Sequence, residues 1–138
     1  MNKDVTILLI EDDDVDAMSI MRTFKQEKIA NVLVRAHDGI EALEILAQGR
    51  VDAPYIILLD LQMPRMNGLE FLKAFRDDYQ YTNCVVFVLT TSKADEDMIA
   101  SYQKNIAGYF LKSSTSDKLL EIVKVLDGYW KIVQFPMK

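Results

Sequence analysis

Residues 55–60 read Tyr-Ile-Ile-Leu-Leu-Asp, five consecutive apolar side chains that end at a carboxylate. A strand with one wet face alternates apolar and polar residues, whereas a strand buried on both faces can be apolar throughout. Residues 5–10 and 85–89 have a similar character, and residues 31–36 and 108–111 form weaker or shorter runs. These five runs indicate the strands of a parallel sheet that is covered on both faces.

Longer segments with helical signals separate the apolar runs. The segment 13–27 begins with aspartates, which favour a helix N-terminus, and it places Val15, Met18, Met21 and Phe24 at helical spacing. Further helices are predicted over residues 39–48, where Gly49 closes the helix, over 68–79 and 115–133, and after a capping-box sequence at residues 92–95. The alternation predicts a doubly wound α/β domain, a (βα)5 three-layer sandwich around a five-stranded parallel sheet.

Length and composition fit one cytoplasmic domain. The chain has 138 residues, of which half are hydrophobic, so we expect a single domain over 1–138, with a core at about 4–133, a short tail at 134–138 and no effector domain. The net charge of -5 argues against nucleic-acid and anionic-membrane binding. The single cysteine, Cys84, is predicted to be a buried, inert thiol. The first apolar run is too short for a signal peptide or a membrane span.

Chemically useful side chains follow the apolar runs. Glu11 and Asp12 follow the first run, Asp60 the third, Thr90 the fourth and Lys112 the fifth. Ligands of doubly wound folds bind beyond the carboxyl ends of the strands. We therefore expect three carboxylates, a hydroxyl and an ammonium group to meet at one edge of the sheet.

Such a set is suited to phosphoryl transfer. Crowded carboxylates repel one another, and Mg²⁺, which prefers oxygen ligands, relieves that repulsion. A carboxylate that acts as a nucleophile forms an acyl phosphate, while a metal ion and a lysine neutralise the phosphoryl oxygens. The sequence has no glycine-rich phosphate-binding loop, so a nucleotide bound in that way is not expected to be the phosphoryl donor.

Four segments resemble those of bacterial response-regulator receiver domains. They are ILLIEDD (7–13), LLDLQMPRMNG (58–68), VLTTS (88–92) and GYFLK (108–112). The likeness covers essentially the whole chain and implies a single-domain regulator with a flavodoxin-like, chemotaxis-regulator-like fold. It also implies a phosphoprotein of a two-component or phosphorelay system that signals through changed protein–protein binding.

The resemblance assigns a role to each matching position. Asp60 would accept a phosphoryl group from a phosphohistidine on a sensor histidine kinase or a histidine phosphotransfer protein. Asp12 and Asp60 would bind Mg²⁺ directly, Glu11 would bind it through water, and the backbone carbonyl of Gln62 would complete the protein ligands. Lys112 would pair with the Asp60 carboxylate and then with the phosphoryl group. No other cofactor is implied.

Two further positions match the switch pair of the family. Thr90 would move toward the phosphoryl oxygens, and Tyr109 would turn inward to fill the vacated space. The family usually has a proline after the lysine, joined by a cis bond, but Ser113 stands here. Because a non-proline cis bond costs roughly 3–4 kcal/mol, we expect a trans bond and a shifted loop.

Other classes of protein fit the sequence less well. Phosphatases that use an aspartyl phosphate need a second aspartate two residues after the nucleophile, where this chain has Gln62. The intact acidic and basic set argues against an interaction module without phosphorylation, and no phosphate-binding loop supports a flavoprotein. The single histidine, His37, is predicted to lie in a surface loop, so the donor histidine belongs to another molecule. We expect no enzyme activity beyond the protein's own phosphorylation and dephosphorylation.

The predicted last helix has a broad apolar arc. Its stripe consists of Leu119, Ile122, Val123, Leu126, Tyr129, Trp130 and Val133, flanked by Leu120, Val125 and Ile132. This arc exceeds what packing on one sheet needs, which favours either a homodimer or partner interface along this helix, or a tail at 134–136 that folds back over it. Residues 129–136 also resemble the ends of regulators that partner phytochrome-type kinases.

Overall fold

Five strands and three helices alternate along the part of the chain that the computed structural model describes. The strands are β1 (Thr6–Ile10), β2 (Leu33–Ala36), β3 (Tyr55–Asp60), β4 (Val85–Thr90) and β5 (Gly108–Leu111), and the helices are α1 (Asp14–Gln26), α2 (Gly39–Ala47) and α3 (Gly68–Asp77). The described residues are 5–26, 31–51, 54–60, 66, 68–78, 84–90, 108–111, 124–125 and 128.

The strands form one parallel sheet in the order β2-β1-β3-β4-β5. This order places β3, the strand predicted most strongly from its apolar run, at the centre. Each predicted apolar run forms a strand, so the α/β class and the parallel sheet are confirmed. The predicted helices after β4 and β5 lie outside the described residues, apart from three helical positions at 124, 125 and 128, so the full (βα)5 repeat stays a prediction.

Both faces of the sheet are buried, as the continuous apolar runs predict. Ile7 and Leu9 of β1 belong to a cluster on the α1 side, whereas Leu8 and Ile10 belong to a second cluster on the side of α2 and α3. All four side chains are fully buried. This alternation follows from the two-residue period of a strand, and it gives three layers within the described residues.

The buried face of α1 differs from the prediction. The helix buries Ala17, Ile20, Thr23 and Phe24, whereas Val15, Met18 and Met21 are 73%, 58% and 41% exposed. Successive steps of three residues each rotate by about 60° away from a full turn, because a helix has 3.6 residues per turn. A series of three such steps therefore passes halfway around the helix, and only Phe24 of the predicted face reaches the core.

Both ends of α2 carry capping groups. Asp38 is the N-cap, and its carboxylate accepts a hydrogen bond from the Glu41 backbone N–H. Gly49 follows the helix with a positive φ of 69°, a conformation that glycine adopts without strain.

In α3, Phe71 and Phe75 are fully buried and stack with ring centroids 5.3 Å apart.

Cys84 is only partly buried, which corrects the prediction of a core thiol. It precedes β4, at the amino end of the sheet, and its thiol donates a hydrogen bond to the Tyr55 hydroxyl at 3.2 Å. A strand terminus is closer to the surface than a strand centre, which explains the difference. Among the residues that the structure describes, no helix has the length and apolar character that crossing a bilayer requires.

Candidate metal and phosphoacceptor site

Three carboxylates meet at the carboxyl end of the sheet. Ile10 of β1 pairs with Leu59 of β3, so the next residues along these strands, Glu11 and Asp60, emerge side by side. Together with Asp12 they place carboxylate oxygens within 4.8 Å of one another. The sequence-predicted acidic set is therefore assembled by the strand register.

Burial makes this arrangement costly without a counter-charge. Glu11 is fully buried and Asp60 is 2% exposed, while Asp12 is partly exposed. Water screens buried charges poorly, so the mutual repulsion of the three carboxylates is stronger here than on the surface. The site is thus shaped to attract a cation from its open side, at Asp12.

The loop that carries two of these carboxylates is anchored to α1. Asp13 caps the helix: its carboxylate accepts a hydrogen bond from the Asp16 N–H at 3.0 Å, and its carbonyl accepts one from Ala17. The Asp13 N–H in turn donates to the Glu11 carboxylate at 3.3 Å. The aspartates at the start of the segment 13–27 were predicted to favour the helix N-terminus, and this is confirmed for Asp13 as the cap.

Arg35 also contacts the acidic loop, and the sequence analysis missed it. Its guanidinium donates to the backbone carbonyls of Glu11 and Asp12 and pairs with the Asp14 carboxylate. A signal was present in the sequence, since a cation interrupts the second apolar run just before its carboxyl end. A charged residue at that position lies at the same edge of a parallel sheet as the acidic cluster.

The remaining predicted site residues are described in part or not at all. Thr90 ends β4 opposite Leu111, and Tyr109 pairs with Val88 one strand away; only their backbones are described. Gln62, Lys112 and Ser113 lie outside the described residues. The predicted roles of these five positions, including the trans bond before Ser113, stay predictions.

The loop after β2 contains the predicted surface histidine. His37 is exposed, as expected, and its backbone N–H and its Nδ1 atom both contact the Glu41 carboxylate. The hydrogen bond from the His37 backbone N–H is the main reason why the pKa of Glu41 lies below its usual value. This pair belongs to the N-terminus of α2, and it contributes no side chain to the acidic cluster.

The donor set restricts what the cluster can bind. All three groups are carboxylates, and neither sulfur nor imidazole stands among them. Oxygen-only sets suit hard divalent cations such as Mg²⁺, Ca²⁺ and Mn²⁺ and do not suit zinc or copper. The three carboxylates, two of which are buried, therefore fit a hard divalent cation such as Mg²⁺.

Comparison with known proteins gives a consistent result. Residues 7–124 match the family of the response regulator receiver domain. The chain is 32% identical over 133 residues to the response regulator Rcp1 of Synechocystis. This alignment covers 94% of this chain and 90% of Rcp1. The crystal structure of Mn²⁺-bound Rcp1 superposes with a TM-score of 0.82 at 31% identity, covering 96% of this chain and 99% of that one.

A second solved structure is similar to the same extent. The phosphorylated cyanobacterial phytochrome response regulator RcpA has a TM-score of 0.84 at 30% identity, and the alignment covers 96% of this chain and 99% of RcpA. Both structures span nearly the whole chain. The likeness therefore extends over nearly the whole chain in both cases.

Proposed function

This chain belongs to the response regulator receiver family, whose members are phosphoacceptors of two-component signalling, and on that premise we propose that Asp60 accepts the phosphoryl group. Asp60 ends the central strand of the sheet, is 2% exposed and lies beside Glu11 and Asp12. The convergence of these three carboxylates is the observation that carries the proposal, because together they can hold a metal ion beside the carboxylate that reacts.

The acidic cluster also supports a specific metal assignment. Asp12 and Asp60 would bind Mg²⁺ directly, Glu11 would bind it through a water molecule, and the backbone carbonyl of Gln62 would add a further oxygen. When bound, Mg²⁺ supplies positive charge that offsets the charge of the transferring phosphoryl oxygens. The related regulator Rcp1 has been crystallised with Mn²⁺, an ion with the same preference for oxygen ligands.

The reaction itself is a direct transfer between two side chains. A carboxylate oxygen of Asp60 attacks the phosphorus of a partner's phosphohistidine, so that an O–P bond forms while the N–P bond breaks and the imidazole leaves. Lys112 would hold the phosphoryl oxygens by charge, and Thr90 would donate a hydrogen bond to one of them. The protein's chemistry would be limited to its own phosphorylation and dephosphorylation.

The phosphohistidine belongs to a sensor histidine kinase or a histidine phosphotransfer protein. The names of similar proteins, such as a cyanobacterial phytochrome response regulator, favour a light-sensing kinase of the phytochrome type as the partner. The acidic chain and its single cysteine support a cytoplasmic protein that binds neither nucleic acid nor membranes. The output would be changed protein–protein binding after Thr90 and Tyr109 rearrange.

The predicted last helix supplies a surface for that output. Val125, which flanks the predicted apolar stripe, is 57% exposed, and this agrees with an apolar flank that the domain leaves uncovered. A homodimer through the helix at 115–133 would bury such a flank. Size-exclusion chromatography with light scattering, before and after phosphorylation, tests it: a monomer in both states at high concentration overturns the dimer.

Intact mass spectrometry tests the acceptor. The protein is incubated with Mg²⁺ and acetyl phosphate and quenched rapidly in acid, beside Asp60→Asn and the control Asp77→Asn, which changes an exposed aspartate of α3. We expect one added phosphoryl group in wild type and in Asp77→Asn, and none in Asp60→Asn. One added group in Asp60→Asn would overturn the assignment.

An absence of added mass in wild type has two causes, which a second measurement separates. Beryllofluoride mimics the phosphoryl group without being hydrolysed, so the fluorescence of Trp130, the only tryptophan, is recorded as beryllofluoride and Mg²⁺ are added. A change in wild type and none in Asp60→Asn indicates a short-lived phosphoryl group. No change in either protein contradicts the proposed function.

A further inference from the structure

The guanidinium of Arg35 makes three contacts with the acidic loop. Nε donates to the Glu11 carbonyl at 3.0 Å, one terminal nitrogen donates to the Asp12 carbonyl at 3.2 Å, and the other lies 2.8 Å from the Asp14 carboxylate. The fork of an arginine can make these contacts at once because its donors are fixed in one plane. One side chain therefore contacts three residues between the end of β1 and the start of α1.

The fold places Arg35 where these contacts can form. Arg35 pairs with Leu9 across the β1–β2 ladder, and its neighbour Leu33 packs in the cluster on the α1 side. Since residues two apart share a face of the sheet, Arg35 extends over the α1 side, toward the β1–α1 loop. Its side chain is 16% exposed, so protein surrounds most of the guanidinium.

Arg35 contacts the backbone of the loop, and not the carboxylates that form the acidic cluster. Arg35 binds backbone carbonyls of Glu11 and Asp12, while the carboxylates of the same two residues converge on Asp60. Holding the carbonyls restricts the backbone that aims these carboxylates at the site. Glu11 has a second anchor, because its N–H donates to the Ala36 carbonyl at 3.0 Å, whereas the Asp12 carbonyl is held by the Arg35 guanidinium.

We propose that Arg35 is a positioning residue for the metal site, which fixes the backbone of Glu11 and Asp12 so that their carboxylates meet the cation in a preset geometry. The inference rests on the proposed function and extends it to a residue outside the acidic cluster. Groups that orient metal ligands without touching the metal commonly contribute 10–100-fold to affinity. Arg35 belongs to this class through its bonds to the ligand backbones.

The positive charge of Arg35 and the contacts that Arg35 makes with the loop have opposite effects on the affinity of the site for Mg²⁺. A fixed cation near the site repels Mg²⁺, so that removal of the Arg35 charge alone would tighten binding. Loss of the contacts instead disorders the loop and weakens binding. Arg35→Lys keeps the charge but replaces the planar fork by a single ammonium group, and it therefore measures the positional effect by itself.

Mg²⁺ affinity, measured by isothermal titration calorimetry, provides the main test. We expect Arg35→Lys to raise the Kd for Mg²⁺ about tenfold, and Arg35→Met to raise it as well although it removes a repelling charge. Arg50→Lys is the matched control, because Arg50 is exposed and its guanidinium contacts Gln48, away from the loop. An unchanged Kd in Arg35→Lys, or tighter binding by Arg35→Met, overturns the inference.

Two further readouts separate positioning from general stability. In metal-free protein, amide hydrogen exchange at residues 12–14 should accelerate in Arg35→Lys while the amides of β3 keep their protection. The rate of phosphorylation by acetyl phosphate should fall at low Mg²⁺ and return to the wild-type rate at saturating Mg²⁺. A rate that stays low at saturation contradicts a role confined to metal positioning.

The outcomes also distinguish this inference from the proposed function. Wild-type protein that binds Mg²⁺ and is phosphorylated, beside an Arg35→Lys variant that behaves identically, overturns the inference alone. Wild-type protein that binds no Mg²⁺ overturns both. If the Arg35 variants do not fold, Asp14→Ala replaces them: Asp14 is 76% exposed, its substitution removes one of the three contacts, and a smaller rise in the Kd is expected; no rise overturns the inference.

Discussion

At the carboxyl end of the sheet the carboxylates of Glu11, Asp12 and Asp60 converge, whereas at the amino end the Cys84 thiol donates to the Tyr55 hydroxyl. The first end gathers like charges in a mostly buried place. The second end joins a neutral donor to a neutral acceptor. The same five strands thus carry a repulsive arrangement at one edge and a satisfied one at the other.

Arg76 shows how the amino end accommodates a charge. It lies near the end of α3, its guanidinium carbon is 5.4 Å from the centre of the Phe75 ring, and burial lowers its pKa while Cys84 and Tyr55 oppose that shift. The helix returns the chain from the carboxyl edge of the sheet to the amino edge. Arg76 therefore lies at the opposite end of the sheet from the acidic cluster. We therefore expect the core and the amino end to contribute more to stability than the carboxyl end, where like charges converge.

The largest expected effect concerns packing. Phe75→Ala removes a fully buried ring that stacks on Phe71 and contacts the Arg76 guanidinium. This substitution should lower the free energy of unfolding by about 3–5 kcal/mol. Urea denaturation followed by circular dichroism measures it. Lys73→Ala, at an exposed position of the same helix, should change the value by less than about 0.5 kcal/mol. Equal effects of the two substitutions would show that α3 is not stabilised through this core.

The next effect has the opposite sign and lies at the carboxyl end. Asp60→Asn removes one of three carboxylates within 4.8 Å of one another, and in Mg²⁺-free buffer it should raise the free energy of unfolding by about 1 kcal/mol, because like charges in a poorly screened site repel. Asp77→Asn should have no comparable effect. A less stable Asp60→Asn protein would mean that the cluster is already neutralised within the fold, and it would remove the contrast between the two ends.

A smaller effect is expected at the amino end. Tyr55→Phe deletes the acceptor of the Cys84 thiol and should cost about 0.5 kcal/mol, at the lower limit for a hydrogen bond because a thiol is a weak donor. A double-mutant cycle with Cys84→Ala isolates the pair. Additive single effects, with no coupling energy, would show that this edge is held by packing alone.

The smallest effect is a pH dependence at the N-terminus of α2. The pKa of Glu41 is lowered in the folded protein, chiefly by the hydrogen bond from the His37 backbone N–H, so its carboxylate stabilises the fold above the ordinary glutamate pKa. This contribution is lost as the pH falls through the lowered value. Glu41→Gln should therefore have a slightly lower Tm than wild type at pH 7, with a difference that narrows toward pH 3. A difference that is constant over this range would exclude titration of Glu41 as its source.

Sequence reasoning was most accurate where the signal was local. The run at 55–59 is apolar without alternation, so burial on both faces follows from it directly, and Asp60 is placed at a strand end by the first polar residue. The Asp13 cap and the glycine after α2 were likewise correct, since capping depends on the few residues around a helix end. Five apolar runs located the five strands with boundary differences of one or two residues.

Sequence reasoning was least accurate where the burial of a side chain depends on the element that packs against it. Three of the four apolar residues chosen for the buried face of α1 are exposed. The side of a helix that meets the sheet depends on how the helix packs across the strands and not on side-chain size. Ala17, which is small, is buried, whereas Met18 beside it is exposed. Cys84 lies near the apolar run of β4, yet its place at the strand end leaves it partly open.

The sequence alone thus determined the strands, the α/β class and the identity of the acidic residues, because each depends on patterns within a few positions of the chain. The position of these residues after the strands also predicted that they share one edge of the sheet, and the tertiary structure decided the contacts that they make there. Only the parallel register brings Glu11 beside Asp60, 49 positions apart, and only the order of β2 beside β1 lets Arg35 reach the acidic loop. Contacts across strands follow from chain geometry, which no local pattern contains.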